Sequence, residues 1–401
     1  MDVQSRTQEL ADHLVASGQE VGLQIAAYLN GELVVNVCSG KADTTTGRPV
    51  DERTLFTGQP GPGPGPMSTV VHVLAERGLL DYGAPVAAYW PEFGDHGKHD
   101  ITLAHVLTHS GGVPQAPPGI TVEDLADWDG TCARIADLRP LWRAGTATGY
   151  HAVTFGFILG EVVRRVTGRP VSAVLRDEVA APLGVPDDLF FGIPAHHLPR
   201  VARLEDGDRS DPLANYPPGS LYHQVIPPQL QGDAALANRP EYQTVDAPSA
   251  SGATAHAVAR MYAALIGEVD GVRLIGPART SRLSAAITMK EDRVTRTPVP
   301  KGLGYIVGTV DMGSANAFGW PPNSGLSFAD PERGFSFAYL PNLWAFAPLS
   351  LGYEVADAVR LALGLETGVI QAIRKRRAEH AVRRARPRVA RRRAADAKRH
   401  Q

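Results

Sequence analysis

Residues 59–68 read QPGPGPGPMS, a segment in which four prolines alternate with three glycines. Proline lacks the backbone N–H that a helix needs, and its ring clashes with the preceding helical turn. Four prolines also limit the flexibility of such a segment. The flanking residues read as a strand over 54–56 and as a helix over 68–78. We therefore predict an extended, non-helical segment over about 60–66, followed by a helix that begins at about Met67.

Strand patterns lie near both ends of the chain. Residues 23–40 contain two apolar, β-branched runs on either side of Asn30 and Gly31, a pair that favours a hairpin turn because both positions tolerate positive φ. Residues 302–312 and 334–342 again read as short strands with Gly, Asn and Asp turns. Between the two ends, apolar residues recur every three or four positions, which indicates helices.

This order predicts an α+β fold in which both termini contribute strands to one antiparallel sheet. We expect a single domain over 1–370, with a sheet lobe over about 15–56 and 300–365 and a helical lobe over about 57–299. The default ligand site is the cleft between the lobes.

Charge is unevenly distributed along the chain. The net charge is −2, yet residues 374–401 contain thirteen basic residues against Glu379 and Asp396, or +11, which leaves −13 for the rest. This asymmetry predicts an acidic globular body and a basic tail over 371–401. The tail could contact nucleic acid or an acidic partner by releasing counterions, whereas a solvated helix or a disordered extension is the simpler interpretation.

The chain has features of a cytoplasmic protein. It has no apolar run of 18 residues, so no membrane span is predicted, and its first residues lack the apolar core of a secretory signal. Cys38 and Cys132 are its two cysteines, and we expect them to be unpaired thiols in a reducing compartment.

Four segments, in order, resemble the class C β-lactamase, D-aminopeptidase and esterase group of serine hydrolases. They are residues 70–93, 101–114, 141–170 and 317–340. The resemblance implies a β-lactamase/transpeptidase-like fold, with an antiparallel sheet flanked by helices and a helical insert lobe. It also implies three motifs: Ser-x-x-Lys at the start of a helix, Tyr-x-Asn or Tyr-x-x on a loop, and Lys/His-x-Gly on a strand.

Two of these motifs are altered in this chain. Counting back from the well-matched helix, the serine of the resemblance falls on about Gly61 and the lysine on about Pro64. On the strand, Trp320 stands at the basic position and Pro322 at the glycine. A serine hydroxyl needs a base within hydrogen-bond reach to act as a nucleophile, so we predict that classical acyl-serine hydrolysis is lost.

The second motif is retained as Tyr150, which is followed by His151. A tyrosine can donate a hydrogen bond to a developing oxyanion without any shift of its pKa. We predict Tyr150 and His151 as the catalytic residues, with retention of Tyr150 for packing alone as the alternative.

The altered motifs predict a cleft that is more aromatic and less cationic than that of a hydrolase. Such a cleft favours a flat, hydrophobic small molecule held by stacking and by burial of area. Ser251 lies in a segment that resembles a loop bordering the active site in that family, although helix capping is the simpler role for it. We predict no metal and no cofactor. The predicted substrate-binding residues are Gly61, Gly63, Pro64, Ser251, Phe318, Trp320 and Pro322.

Other polar pairs have structural explanations that we favour. Ser68 or Thr69 with His72 could form a hydroxyl–imidazole pair on one helix face, but serine is a preferred N-cap residue. His105 and His109 have the i, i+4 spacing of metal ligands, but the sequence offers no evident third ligand.

These observations leave three hypotheses for function. The first, which we favour, is a non-hydrolytic cyclisation, isomerisation or elimination; the Ala-, Arg- and Gly-rich composition suggests a high-GC actinobacterial source and a role in secondary metabolism. The second is a non-catalytic protein that binds a ligand or partner. The third is a residual hydrolase that uses another serine.

Overall fold

The computed structural model describes residues 2–57, 64–207, 216–217, 219–230, 233–309, 312–320, 325–344 and 351–365. The predicted basic tail over 371–401 therefore lies outside the described residues.

The strands, numbered in chain order, are short except for the first hairpin and the penultimate strand. They are β1 Gly22–Leu29, β2 Glu32–Gly40, β3 Phe56–Thr57, β4 Leu189–Phe191, β5 Glu205–Asp206, β6 Ser251–Ala253, β7 Ile306–Val307, β8 Phe318–Trp320, β9 Leu326–Asp330, β10 Phe335–Pro341 and β11 Leu343–Trp344.

The α-helices fill the middle of the chain and both flanks of the main sheet. They are α1 Val3–Ala16, α2 Pro64–Glu76, α3 Val86–Tyr89, α4 Leu103–Leu107, α5 Trp128–Ala136, α6 Thr154–Thr167, α7 Val171–Leu175, α8 Leu221–Val225, α9 Ala234–Ala237, α10 Pro240–Gln243, α11 Ala255–Ile266, α12 Pro277–Leu283 and α13 Leu351–Ala362.

The main sheet has the strand order β2-β1-β10-β9-β8-β7, and every neighbouring pair is antiparallel. The N-terminal strand β1 pairs with the C-terminal strand β10, with Ile25 opposite Tyr339. This pairing confirms the prediction that both ends of the chain build one sheet.

The β1–β2 hairpin turns where the sequence predicts it. Asn30 and Gly31 have φ values of 53° and 84°, the conformation that this pair adopts most readily. The Asn30 N–H donates to the Gly334 carbonyl at 2.7 Å, which ties the hairpin to the turn before β10. The predicted hairpin is thus confirmed.

The core lies against both faces of this sheet and inside the helical lobe. Helix α11 packs on β1, β9 and β10, while α1 contacts β2 and α13. All seven residues of β10 are buried, as expected for a strand that is covered on both faces. In the helical lobe α6 contacts α2, α4, α5 and α7, so it forms the centre of that lobe.

Helix α2 begins earlier than the sequence predicts. It starts at Pro64, so the expectation of a non-helical segment is wrong for residues 64–66, while residues 58–63 lie outside the described residues. The first N–H groups of a helix have no intrahelical acceptor, and proline is tolerated there because the N–H it lacks is not needed. Pro64 and Pro66 both fall in that first turn.

Among the described residues, no helix is both long enough and apolar enough to cross a bilayer.

Candidate active site

Ser68 lies in the second turn of α2 and is fully buried. Its hydroxyl has two acceptors within reach, the carbonyl oxygens of Pro64 at 2.8 Å and of Gly304 at 2.9 Å. The expectation that Ser68 caps the helix is therefore wrong, because the helix begins four residues earlier. Its single hydroxyl proton goes to backbone carbonyls, with no imidazole in its hydrogen bonds.

His72 is engaged in a different set of bonds. Its Nε2–H donates to the Leu303 carbonyl at 3.1 Å, so its Nδ1 accepts from the Tyr82 hydroxyl at 2.7 Å. Burial lowers the pKa of His72 to about 3, which keeps the ring neutral. The hydroxyl oxygen of Thr69 lies 2.9 Å from the hydroxyl oxygen of Tyr305. The hydroxyl–imidazole pair that the spacing allowed does not form here, and His72 has the structural role that we favoured.

Trp320 is the last residue of β8, and its side chain lies next to Gly65 in the first turn of α2. Its Nε1–H donates to the Gly304 carbonyl at 2.9 Å, and only 6% of the residue is exposed. Its ring centroid lies 5.8 Å from that of His109 and 6.3 Å from that of Tyr150. The indole is therefore an apolar wall whose one donor is already engaged.

Tyr150 lies on the loop before α6 and is half-buried. Its hydroxyl makes no hydrogen bond to another described residue. Burial, with smaller contributions from Tyr222 and Asp292, raises the pKa of Tyr150 to about 12. At neutral pH Tyr150 is therefore protonated, so it can donate a hydrogen bond but cannot act as a base.

His151, the next residue in the chain, is buried. It is 1% exposed, and its Nδ1–H donates to the Gly149 carbonyl at 2.6 Å. Burial lowers the pKa of His151 to about 4, so the ring is neutral. Its Nε2 is shielded and has no partner among the described residues. The structure therefore places the two predicted catalytic residues differently, with Tyr150 half-buried and His151 fully buried.

A buried ion pair supports the segment that leads to Tyr150. Lys301 Nζ lies 2.9 Å from Asp292 Oδ2, and their side chains are 4% and 1% exposed. Burial raises the pKa of Asp292, but Lys301 and backbone N–H groups outweigh it and lower the pKa overall. Thr148 pairs with Asp292 in an isolated bridge, and its carbonyl accepts from the Arg293 N–H at 2.9 Å. Sequence reasoning missed this pair, because nothing in the local pattern marks either residue as buried.

The other predicted binding residues occupy varied positions. Phe318 is fully buried, with its ring 5.1 Å from that of Tyr305, so its side chain lies in the core. Ser251 is buried on β6, and Pro64 is partly exposed at the head of α2. Gly61, Gly63 and Pro322 lie outside the described residues.

His105 forms a helix cap. Its Nδ1 accepts from the Thr102 N–H at 3.1 Å, and the Thr102 hydroxyl accepts from the His105 N–H. Within the described ranges, no group of three or more His, Cys, Asp or Glu side chains is arranged to hold a metal ion.

Comparison with known proteins gives this geometry a family. Residues 66–360 match the family model described as Beta-lactamase. The chain belongs to the beta-lactamase family. It is 33% identical over 350 residues to Esterase/beta-lactamase LipL of Mycobacterium tuberculosis (strain ATCC 25618 / H37Rv), a match that covers 80% of this chain and 77% of that protein.

Solved structures agree with this family assignment. A family VIII carboxylesterase superposes with a TM-score of 0.81 at 30% identity, over 90% of this chain and 98% of the other. A penicillin-binding protein homologue from Caulobacter crescentus gives a TM-score of 0.79 at 30% identity, over 90% and 98%. The predicted β-lactamase/transpeptidase-like α+β fold is thus confirmed.

For this member of the beta-lactamase family, the resemblance locates the three motif positions at about Gly61 and Pro64, at Tyr150, and at Trp320. Those of them that the structure describes converge: Pro64 begins the helix whose Ser68 bonds to Gly304, Trp320 bonds to the same carbonyl, and the Tyr150 ring lies 6.3 Å from that of Trp320. Sequence reasoning also missed His109 as part of this site, although the His-Ser-Gly-Gly that follows α4 is a turn signal.

Proposed function

We propose that this beta-lactamase-family protein binds a neutral, hydrophobic small molecule and promotes a non-hydrolytic rearrangement of it, such as an isomerisation or cyclisation. The observation that carries the proposal is the hydroxyl of the half-buried Tyr150, which is protonated and has no hydrogen-bond partner among the described residues. In the proposed step Tyr150 donates a hydrogen bond to a ligand oxygen as negative charge develops there, and its proton stays on the phenol.

The state of the neighbouring polar groups supports a reaction without an acyl-enzyme. Ser68 bonds to backbone carbonyls, Thr69 lies against Tyr305, and His72 bonds at both nitrogens. Acyl-serine chemistry needs a hydroxyl within hydrogen-bond reach of a base. None of these three residues offers that arrangement.

The aromatic surroundings support a neutral ligand of low polarity. The rings of Trp320 and His109 lie beside that of Tyr150, and Phe155 packs against both of them. The ring of His109 is neutral because burial holds its pKa well below the ordinary value. Such walls can hold a flexible substrate in a reactive conformation. This can lower the activation free energy by several kcal/mol without any nucleophile.

The proposal is tested by incubating the purified protein with a small-molecule extract of its source organism and comparing extracts by mass spectrometry. We expect an isomer of the same mass, or a product formed by elimination, with wild-type protein. The Tyr150→Phe variant keeps the ring and removes the donor, so it should lose most of this conversion. Equal conversion by both proteins would exclude the role given to Tyr150, and a bound ligand recovered unchanged would make the protein a non-catalytic binder.

Esterase-type hydrolysis is the second candidate, and the relatives favour it. LipL, named an esterase/beta-lactamase, is 33% identical, and the family VIII carboxylesterase is 30% identical over 90% of this chain. Hydrolysis of p-nitrophenyl acetate or butyrate, together with labelling by a fluorophosphonate probe, would establish it. If both occur, the non-hydrolytic proposal fails, and the labelled serine identifies a nucleophile that replaces the one missing at about Gly61.

We place the protein in the cytoplasm as part of the same proposal. Its two cysteines, Cys38 and Cys132, are both free thiols, which is usual in a reducing compartment.

A further inference from the structure

His109 contacts the backbone on both sides of Tyr150. The Gly149 N–H donates to the His109 carbonyl at 3.0 Å, and the His151 N–H donates to the His109 Nδ1 at 3.1 Å. The His109 ring centroid also lies 5.4 Å from the Tyr150 ring centroid. One residue thus holds the residue before Tyr150, the residue after it, and its ring.

His109 is itself held firmly. It is 2% exposed and has a left-handed backbone with a φ of 54°. Its ring stacks on that of Phe155, with the ring centroids 4.8 Å apart. It lies perpendicular to the Trp320 ring, at an interplanar angle of 90° and a centroid distance of 5.8 Å. Its N–H donates to the Val106 carbonyl at 2.9 Å, which anchors it to the end of α4.

The bond to His151 determines the tautomer of His109. Because a backbone N–H donates into Nδ1, that nitrogen has a lone pair, and the proton of the neutral ring lies on Nε2. The shielded Nε2 has no partner among the described residues. The ring therefore acts toward the Tyr150 loop as an acceptor at Nδ1.

From this geometry we propose that His109 is the positioning residue of the site: its carbonyl and its Nδ1 hold residues 149–151 so that Tyr150 stays beside Trp320. The catalytic meaning of this inference rests on the function proposed above, but the positioning itself can be measured without any ligand.

Two substitutions separate the acceptor from the packing. His109→Asn puts an amide oxygen close to the place of Nδ1, and asparagine tolerates the left-handed conformation. His109→Phe keeps a ring to stack on Phe155 but has no acceptor. His105→Phe is the matched control. His105 Nδ1 also accepts a backbone N–H, from Thr102 at 3.1 Å, but His105 makes no hydrogen bond to residues 149–151 of the described chain.

Hydrogen exchange of the peptide that covers residues 149–151, followed by mass spectrometry, measures the positioning directly. We expect His109→Phe to exchange roughly tenfold faster, as for loss of one hydrogen bond, and His109→Asn and His105→Phe to stay within about threefold of wild type. Equal acceleration in His109→Phe and His109→Asn would overturn the inference.

Nitrogen-15 NMR of wild-type protein labelled at histidine provides a second measurement. It needs no substitution, so its result does not depend on whether a variant folds. We expect His109 to be neutral with its proton on Nε2. A proton on Nδ1 would remove the acceptor and overturn the inference.

Where the substrate is known, His109→Phe should lower kcat toward the value of Tyr150→Phe with little change of KM, and His109→Asn should recover most of the loss. A His109→Phe enzyme with full kcat would overturn the inference. If the wild-type protein converts no substrate, the proposed function fails, while exchange and the tautomer still decide whether His109 positions Tyr150.

Discussion

The indole Nε1 of Trp320 donates a hydrogen bond of 2.9 Å to the carbonyl oxygen of Gly304. The Ser68 hydroxyl lies at 2.9 Å from the same oxygen. Gly304 has a φ of 78°, and a side chain there would meet the Ser68 hydroxyl, so glycine suits this close approach. This carbonyl ties the end of β8 to the second turn of α2.

Replacing Trp320 by Phe should cost stability because it removes this donor and part of the buried ring. We expect a loss of about 1 kcal/mol for the hydrogen bond, plus the packing lost with the smaller ring. Trp142→Phe is the matched control, since the Trp142 Nε1 is buried with no partner among the described residues. Urea unfolding of both variants measures the difference. A cost for Trp320→Phe no larger than for Trp142→Phe would show that the Gly304 bond adds nothing.

Replacing Ser68 by Ala should lower the free energy of unfolding without changing any turnover or labelling. The Ser68 hydroxyl bonds to backbone carbonyls, so its loss should cost about 1 kcal/mol. Urea unfolding and reaction with a fluorophosphonate probe are the two measurements. Labelling of wild-type protein that disappears in Ser68→Ala would identify Ser68 as a nucleophile and contradict this expectation.

Burial of His72 and His151 should contribute a loss of stability as the pH falls below about 6.5. His72 and His151 have folded-state pKa values of about 3 and about 4 because they are buried, whereas an unfolded histidine titrates near 6.5. Between these values the unfolded chain binds more protons, so each such histidine lowers stability by roughly 1.4 kcal/mol per pH unit as the pH falls.

His72→Gln tests the histidine origin of this dependence. Glutamine can still donate to the Leu303 carbonyl and accept from Tyr82, but it does not titrate. Stability measured from pH 7 to pH 4.5 should fall less steeply than in wild type. His99→Gln, at a side chain that is 72% exposed, is the control for the same substitution at an exposed position. Identical slopes for all three proteins would exclude His72 as a source of acid sensitivity.

Breaking the buried pair of Asp292 and Lys301 should be strongly destabilising. Asp292→Asn keeps the size of the side chain but leaves the Lys301 charge buried without its partner. Leaving a buried charge unpaired typically costs about 3–5 kcal/mol of stability. Removing both charges in Asp292→Asn with Lys301→Met keeps the Oδ1 that accepts from the Val294 N–H at 2.8 Å, so this double variant should cost less than Asp292→Asn alone. Thermal and urea unfolding compare the three proteins. A double variant less stable than the single one would show that the pair itself contributes net stability.

The sequence predicted the sheet well because its signals are local. The Asn30-Gly31 turn sets the β1–β2 hairpin, and the apolar runs near the two ends match β1 and β10. The family resemblance, which rests on residue patterns along four segments, also predicted the fold that comparison confirms.

The start of α2 was predicted less well. Proline disfavours a helix interior, but Pro64 and Pro66 both lie in the first turn of α2, where that rule does not hold. A helix that began at about Met67 would make Ser68 a cap, whereas the start at Pro64 makes it a buried residue of the second turn.

By itself, the sequence determined which elements form and which side chains are present: the tyrosine at 150, the indole at 320, and no serine or lysine at the positions that the family resemblance assigns them. Only the tertiary structure decided which of these groups is free to act. Ser68, His72 and Trp320 are engaged by carbonyls of residues 303 and 304, more than 200 positions away for the first two. Hydrogen bonding and burial set the availability and the pKa of a polar group, and both depend on neighbours that are distant in the chain.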